Sequence, residues 1–231
     1  MEKRASERPQ VLLAWSSGKD SAWTLHRLRT QGAVDVVGLL TTINREAGRV
    51  AMHAVREQLL EAQAAAVGLP LVKVFIPSPC PNEQYERAIG EAIARARAQG
   101  ITQIAFGDLF LEDVRQYREN QLAGTGIQPI FPLWGLDTAS LARTMVAAGL
   151  RAYLTCVDPK QLTPSFVGRT FDAQFLAELP PGVDPCGERG EFHTFAYAGP
   201  IFAAPIPIVP GPVVSRDGFV FADLLLQEAT P

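Results

Sequence analysis

Ser16-Ser17-Gly18-Lys19-Asp20-Ser21 is the segment of this chain best suited to chemistry on a phosphate. Small residues let a backbone approach a ligand closely. If a helix follows, its free N–H groups and the positive end of its dipole attract an anion. Serine hydroxyls can donate to phosphate oxygens, and Lys19 can balance charge. Asp20 has two readings, a helix cap or a ligand to a Mg²⁺ ion bridging phosphates. The spacing is not the Walker pattern. If Ser17 must take a positive φ in such a turn, its side chain carries a cost.

Two further groups carry reactive side chains. Gly107-Asp108 precedes a charged stretch with Glu112, Asp113, Arg115, Arg118 and Glu119. Arg115 and Arg118 are three apart and share a helix face, so they can clamp an anion; a solvated helix laced by Glu–Arg pairs is an equal alternative. The second group is Asp184-Pro185-Cys186-Gly187-Glu188-Arg189-Gly190-Glu191-Phe192-His193-Thr194. Its glycines and proline suit a fixed loop. Glu188, Glu191 and His193 can move protons or hold a substrate. Glu191 and His193 share a face if their segment is extended. The spacing matches no zinc pattern. Cys186 reads first as a small buried hydrophobe and second as a nucleophile, and Cys80 and Cys156 only as structural. His53 can approach a nucleotide or simply open a helix. His26 is structural, and Trp134 is expected to pack a hinge.

The elements that must position these groups alternate. Apolar strands are expected at Gln10–Trp15, Val34–Ile43, Leu71–Ile76, Gln103–Phe110 and Gln128–Leu133. Helices are expected at Lys19–Gln31, from about Met52 to Val67, at Asn82–Gln99, and around Glu112–Ala123. The second of these carries Met52, Val55, Leu59, Ala62 and Ala66 at helical spacing, and the third Tyr85, Ile89, Ile93 and Ala96. Such alternation predicts a doubly wound α/β parallel sheet, with ligands at the carboxyl ends of the strands. After Gly135 come a helix (Thr138–Ala148), a strand (Arg151–Val157), a loop-rich stretch (Pro159–Gly190) and a proline-rich one (Pro200–Pro212). A strand pair turned at Asp217-Gly218 closes the chain. The expected division is a nucleotide-binding domain over 9–135 and a smaller α/β lobe over 136–231.

The 231 residues are 47% hydrophobic and 19% charged, with a net charge of −3. A sizeable core follows, and a broad nucleic-acid surface is excluded. Three dispersed cysteines fit a reducing compartment. The first ten residues lack the apolar run of a signal peptide, and no segment reaches membrane-spanning length. These features place the protein in the cytoplasm and leave a homodimer open.

The loop at 16–21 resembles the PP-loop of ATP pyrophosphatases. Together with Gly107-Asp108, Pro132-Leu133-Trp134 and Gly190-Glu191-Phe192-His193-Thr194, it is similar to the diphthine–ammonia ligase family over nearly the whole chain. The resemblance implies an adenine nucleotide α-hydrolase-like fold. It also implies ATP and Mg²⁺ as cofactors, a carboxylate activated by adenylation with release of pyrophosphate, and ammonia as nitrogen donor. In that reading Ser16, Ser17, Gly18, Lys19, Asp20, Ser21, His53, Gly107 and Asp108 bind the nucleotide, with Asp20 on the metal. Lys19, Asp20, Arg115, Arg118, Glu191 and His193 are the catalytic candidates. Glu119, Cys186, Gly187, Glu188 and Thr194 face the acceptor. The segments at 107–119 and 184–188 look like the bacterial branch; bacteria lack diphthamide, so the acceptor is expected to differ. The competing expectations are an RNA-modifying PP-loop enzyme and a nucleotide-binding regulator without turnover.

Overall fold

A computed structural model describes residues 8–50 and 55–227. The first half builds a largely parallel sheet. Strands β1 (Gln10–Ala14), β2 (Asp35–Asn44), β4 (Leu71–Ile76), β5 (Gln103–Ala105) and β6 (Gln128–Ile130) lie in the order β4-β2-β1-β5-β6. A short β3 (Arg49–Val50) runs antiparallel against the end of β2. Strand order therefore reverses between β1 and β5, the place where such sheets open a crevice for ligands.

Both faces of the sheet are covered, as the unbroken apolar strands require. Val11 and Leu13 point into one core with Ala22, Leu25 and Leu28 of α1 (Lys19–Gln31) and Leu59, Leu60 and Ala64 of α2 (Glu57–Val67). Leu12, between them, points the other way. It meets Ile89, Ile93 and Ala96 of α3 (Asn82–Ala98) and Leu122 of α4 (Glu112–Leu122). The fold is thus the doubly wound α/β sheet expected.

The second half is an antiparallel sheet with β7 (Arg151–Val157) at its centre. β9 (Phe192–Ala198) flanks β7 on one side; β8 (Thr170–Phe171) and β11 (Phe219–Leu226) flank the other, with β10 (Ile208–Arg216) outside β11. The β10–β11 turn has φ 52° at Asp217 and 83° at Gly218. Two positive φ values make the turn twist with its strands, which is why Asp-Gly serves here. α5 (Thr138–Ala147), capped by Asp137, and the short α6 (Ala173–Glu178), capped by Asp172, complete the lobe. Leu154, Phe195 and Ala196 share one core with α1 and α2, so the smaller lobe packs directly on the larger.

Several expectations shift. The second helix begins at Glu57, because Val55 and Arg56 pair back to β3. Met52 and His53 lie outside the described residues. Its buried stripe is Leu59, Leu60, Gln63, Ala64 and Val67, rotated from the one expected. β5 stops at Ala105, since 106–111 leave the sheet. β6 tolerates Pro129 because it is an edge strand. The stretch 159–190 holds a 3₁₀ turn, β8 and α6, and β10 already begins at Ile208. Trp134 packs against Phe131 and the Arg115 guanidinium, both in the first lobe, rather than at a hinge.

Candidate active site

The turn after β1 is held from behind. The Trp15 N–H bonds the Leu40 carbonyl (2.8 Å), and Thr41 Oγ1 donates to the Trp15 carbonyl (2.7 Å). Ser17 then takes φ 70°, the left-handed conformation that costs a residue with a side chain. Its hydroxyl is buried with no hydrogen-bond partner among the described residues. Gly18 is extended and α1 starts at Lys19. Helix geometry leaves the N–H groups of the first turn without intrahelical acceptors. That of Lys19 is taken by Thr194 Oγ1 (3.1 Å), which docks β9 against the loop. Gly107, where the chain leaves β5, passes so close to α1 that a Cβ there would lie 3.1 Å from Thr24 Oγ1 and 3.2 Å from the Asp20 carbonyl carbon.

These turns line a cleft of about 410 Å³, in the range of small-molecule sites. Ser16, Gly18, Lys19, Asp20, Ser21, Gly107, Asp108, Arg118, Cys186, Gly187, Glu188, His193 and Thr194 all reach it. An apolar wall from α3, β5 and α4, including Ile89, Ile104 and Val114, closes its other side.

In the cleft Lys19 pairs with Asp20 and Arg118 with Asp108. Lys19 is 2% exposed; its ammonium donates to Asp20 Oδ2 (2.8 Å) and the Cys186 carbonyl, over the rings of Phe171 and Phe192. Burial acts to lower its pKa, but Asp20, with help from Cys186 and Glu188, raises it overall. Lys19 therefore stays charged and ties α1 to the 184–188 loop. Burial raises the Asp20 and Asp108 carboxyls against the pull of Lys19 and Arg118. Glu188 Oε1 accepts from the Leu109 N–H (2.7 Å), and burial pushes this carboxyl up to about 7. Burial and the Lys19 charge lower His193 to about 4, so its ring is neutral at pH 7.

Four expected residues stand elsewhere. Arg115 pairs with Glu119 (2.8 Å) and stacks over Phe131 and Trp134, so neither it nor Glu119 lines the cleft. Arg118, three residues on, does. Glu191 precedes β9 and turns inward, 2% exposed. Its carboxylate accepts from the N–H groups of Asp184 and Arg189 (both 2.9 Å), folding the loop on itself instead of joining His193 on a working face. Ser17 lies wholly behind the loop. The Cys186 thiol donates to the Thr138 carbonyl (3.4 Å), and burial raises its pKa, which removes the nucleophile reading.

Among the described residues, no three His, Cys, Asp or Glu side chains converge to hold a metal. Asp20 Oδ1, buried without a hydrogen-bond partner among those residues, does suit a Mg²⁺ ion arriving on phosphates, which takes few protein ligands. No described helix is long and apolar enough to cross a membrane.

Residues 9–129 match the diphthamide synthase N-terminal domain, and 137–216 the diphthamide synthase C-terminal domain. The chain belongs to the diphthamide synthase family. Within that family it is 25% identical to the human diphthine–ammonia ligase over 228 residues, covering 90% of this chain and 85% of the human one. It is 27% identical to the zebrafish (Danio rerio) diphthine–ammonia ligase, covering 90% and 89%. The rat protein of the same name is 25% identical with the coverage of the human one. In diphthamide synthase terms, the cleft lies where the matched N- and C-terminal segments meet: Asp20 and Asp108 come from the first, Glu188 and His193 from the second.

The sequence missed Gln63. It is fully buried and bonds Trp15, Ser17 and Ala196. Its signal was a lone amide at helical spacing among Leu59, Leu60 and Val67.

Proposed function

We propose that the protein is an ATP-dependent ligase that joins ammonia to a carboxylate acceptor through an acyl adenylate. The observation that carries this reading is the phosphate-type loop at the β1/β5 switch point, opening into a cleft that also holds Arg118, Glu188 and His193. The relatives named diphthine–ammonia ligase support the same reaction class.

In the first half-reaction an acceptor carboxylate oxygen attacks the α-phosphorus, and the bond to the β-phosphate oxygen breaks, giving acyl adenylate and pyrophosphate. The Gly18 loop and first turn of α1 cradle the leaving pyrophosphate, and Arg118 offsets its charge. Mg²⁺ held at Asp20 with the triphosphate would supply further charge neutralisation. In the second, ammonia attacks the acyl carbon and AMP leaves with the bonding electron pair. Glu188, ionised above about pH 7, accepts the proton the nitrogen gives up. The neutral His193 ring orients the acceptor by hydrogen bonding. The 9–135 and 136–231 parts then divide the labour between nucleotide and acceptor, inside the cell.

A panel of carboxylates incubated with ATP, Mg²⁺ and ¹⁵N-ammonium tests this reading. It predicts a ¹⁵N-amide product with AMP in equal amount; AMP formed with no nitrogen incorporated under any acceptor would overturn the amidation step.

A further inference from the structure

Ser17 is strained, yet its peptide is held firmly, and the group that holds it comes from outside the loop. The Ser17 carbonyl accepts from Gln63 Nε2 and from the Ala196 N–H, each at 2.9 Å. Gln63 Nε2 also donates to the Ala196 carbonyl (2.6 Å), and Gln63 Oε1 accepts from the Trp15 indole (2.9 Å). Gln63 is 0% exposed, and its amide uses both donors and its oxygen. Turning the amide over would set its NH₂ against the indole N–H and its oxygen against two carbonyls, so the network admits one orientation.

A trans peptide is planar, with its C=O and N–H on opposite sides. With the Ser17 carbonyl captured on the α2/β9 side, the N–H of Gly18 must face away from it. There it meets Ser16 Oγ at a long 3.4 Å, beside the cleft that Gly18 lines. A donor bonded so weakly at a cleft wall is left available to a better acceptor placed along its fixed direction.

We propose that Gln63 is a positioning residue for nucleotide binding: it locks the Ser17–Gly18 peptide so that the Gly18 N–H points at a phosphate oxygen. This inference rests on the reading of the loop as the ATP site. It also explains how a serine persists at a left-handed position: the bonds from Gln63 and Ala196 hold the peptide that the serine side chain disfavours.

Calorimetry with Mg·ATP tests it through a double-mutant cycle, with urea unfolding confirming that each protein is folded. Gln63→Met removes both donors while keeping an unbranched side chain. Its ATP affinity should fall about tenfold, the scale of one hydrogen bond to a charged group. In a Ser17→Gly background the same Gln63 change should cost no more than about threefold, because glycine takes the left-handed conformation without support. Equal losses in the two backgrounds, or no loss in either, would overturn the proposal. If the Gln63 variants do not fold, the wild-type Gly18 amide resonance decides: it should move downfield on addition of Mg·ATP, and an unmoved resonance would overturn the proposal. Wild-type protein that binds no ATP would instead sink the functional reading itself.

Discussion

His193 shows how position sets the chemistry of a single side chain. Its ring lies in the cleft wall, and burial with the nearby Lys19 ammonium lowers its pKa from 6.5 to about 4. The charged form is thus disfavoured in the folded state and free to form in the unfolded one. Stability linked to His193 is complete above about pH 6.5 and is lost as the pH falls toward 4. Urea denaturation across that range should show wild type losing on the order of 2 kcal/mol more than His193→Asn, less than the full shift implies because the ring keeps some contact with solvent. Parallel pH profiles for the two proteins would contradict this account of the ring. Glu191 teaches the converse lesson. Its place in a dense polar run marked it as special, but its partners are backbone N–H groups at 184 and 189, pairings that spacing alone does not reveal.

Arg115 and Arg118 mark what a helix can and cannot decide. Helical spacing put both on α4 correctly. Which one serves the cleft depends on what flanks the helix. Phe131 and Trp134, from the turn after β6, draw Arg115 away, whereas Arg118 stacks on Phe106 and lies 3.8 Å from Asp108. Arg118→Leu should weaken ATP binding or slow turnover about tenfold, while Arg115→Leu lowers the melting temperature and leaves ATP affinity within about threefold. Equal effects of the two on affinity, read by calorimetry, would contradict the assignment. Other elements were legible to the same degree. Leu71–Ile76 and Arg151–Val157 match their apolar runs residue for residue. Gln103–Phe110 reads as one long strand, but the close pass of Gly107 beside α1 pulls it from the sheet after Ala105. That constraint comes from another element and leaves no local trace.

At the scale of the whole molecule, the site exists because two sheets meet. The alternation of strands and helices is readable in the sequence; the strand order, which it does not give, brings the loops after β1 and β5 together. Nothing in the sequence announces that β9 braces the loop at 16–21 through Thr194 and Ala196, or that Asp223 of β11 clamps Arg49 (2.9 Å) and Arg56 (2.5 Å). Burial opposes it, yet those two guanidiniums hold the Asp223 carboxyl down at about 2, so the clamp stays ionised throughout the physiological range. With the lobes joined this way, Asp20 and Asp108 from one and Glu188 and His193 from the other face a single cleft, the arrangement that the proposed adenylation and amidation would use. The most direct test of that account is the position at which ATP is cut. Phosphorus NMR of a reaction containing the purified protein, Mg·ATP, ammonium and a carboxylate panel should show AMP and pyrophosphate rising together; ADP and orthophosphate as the main products would contradict it.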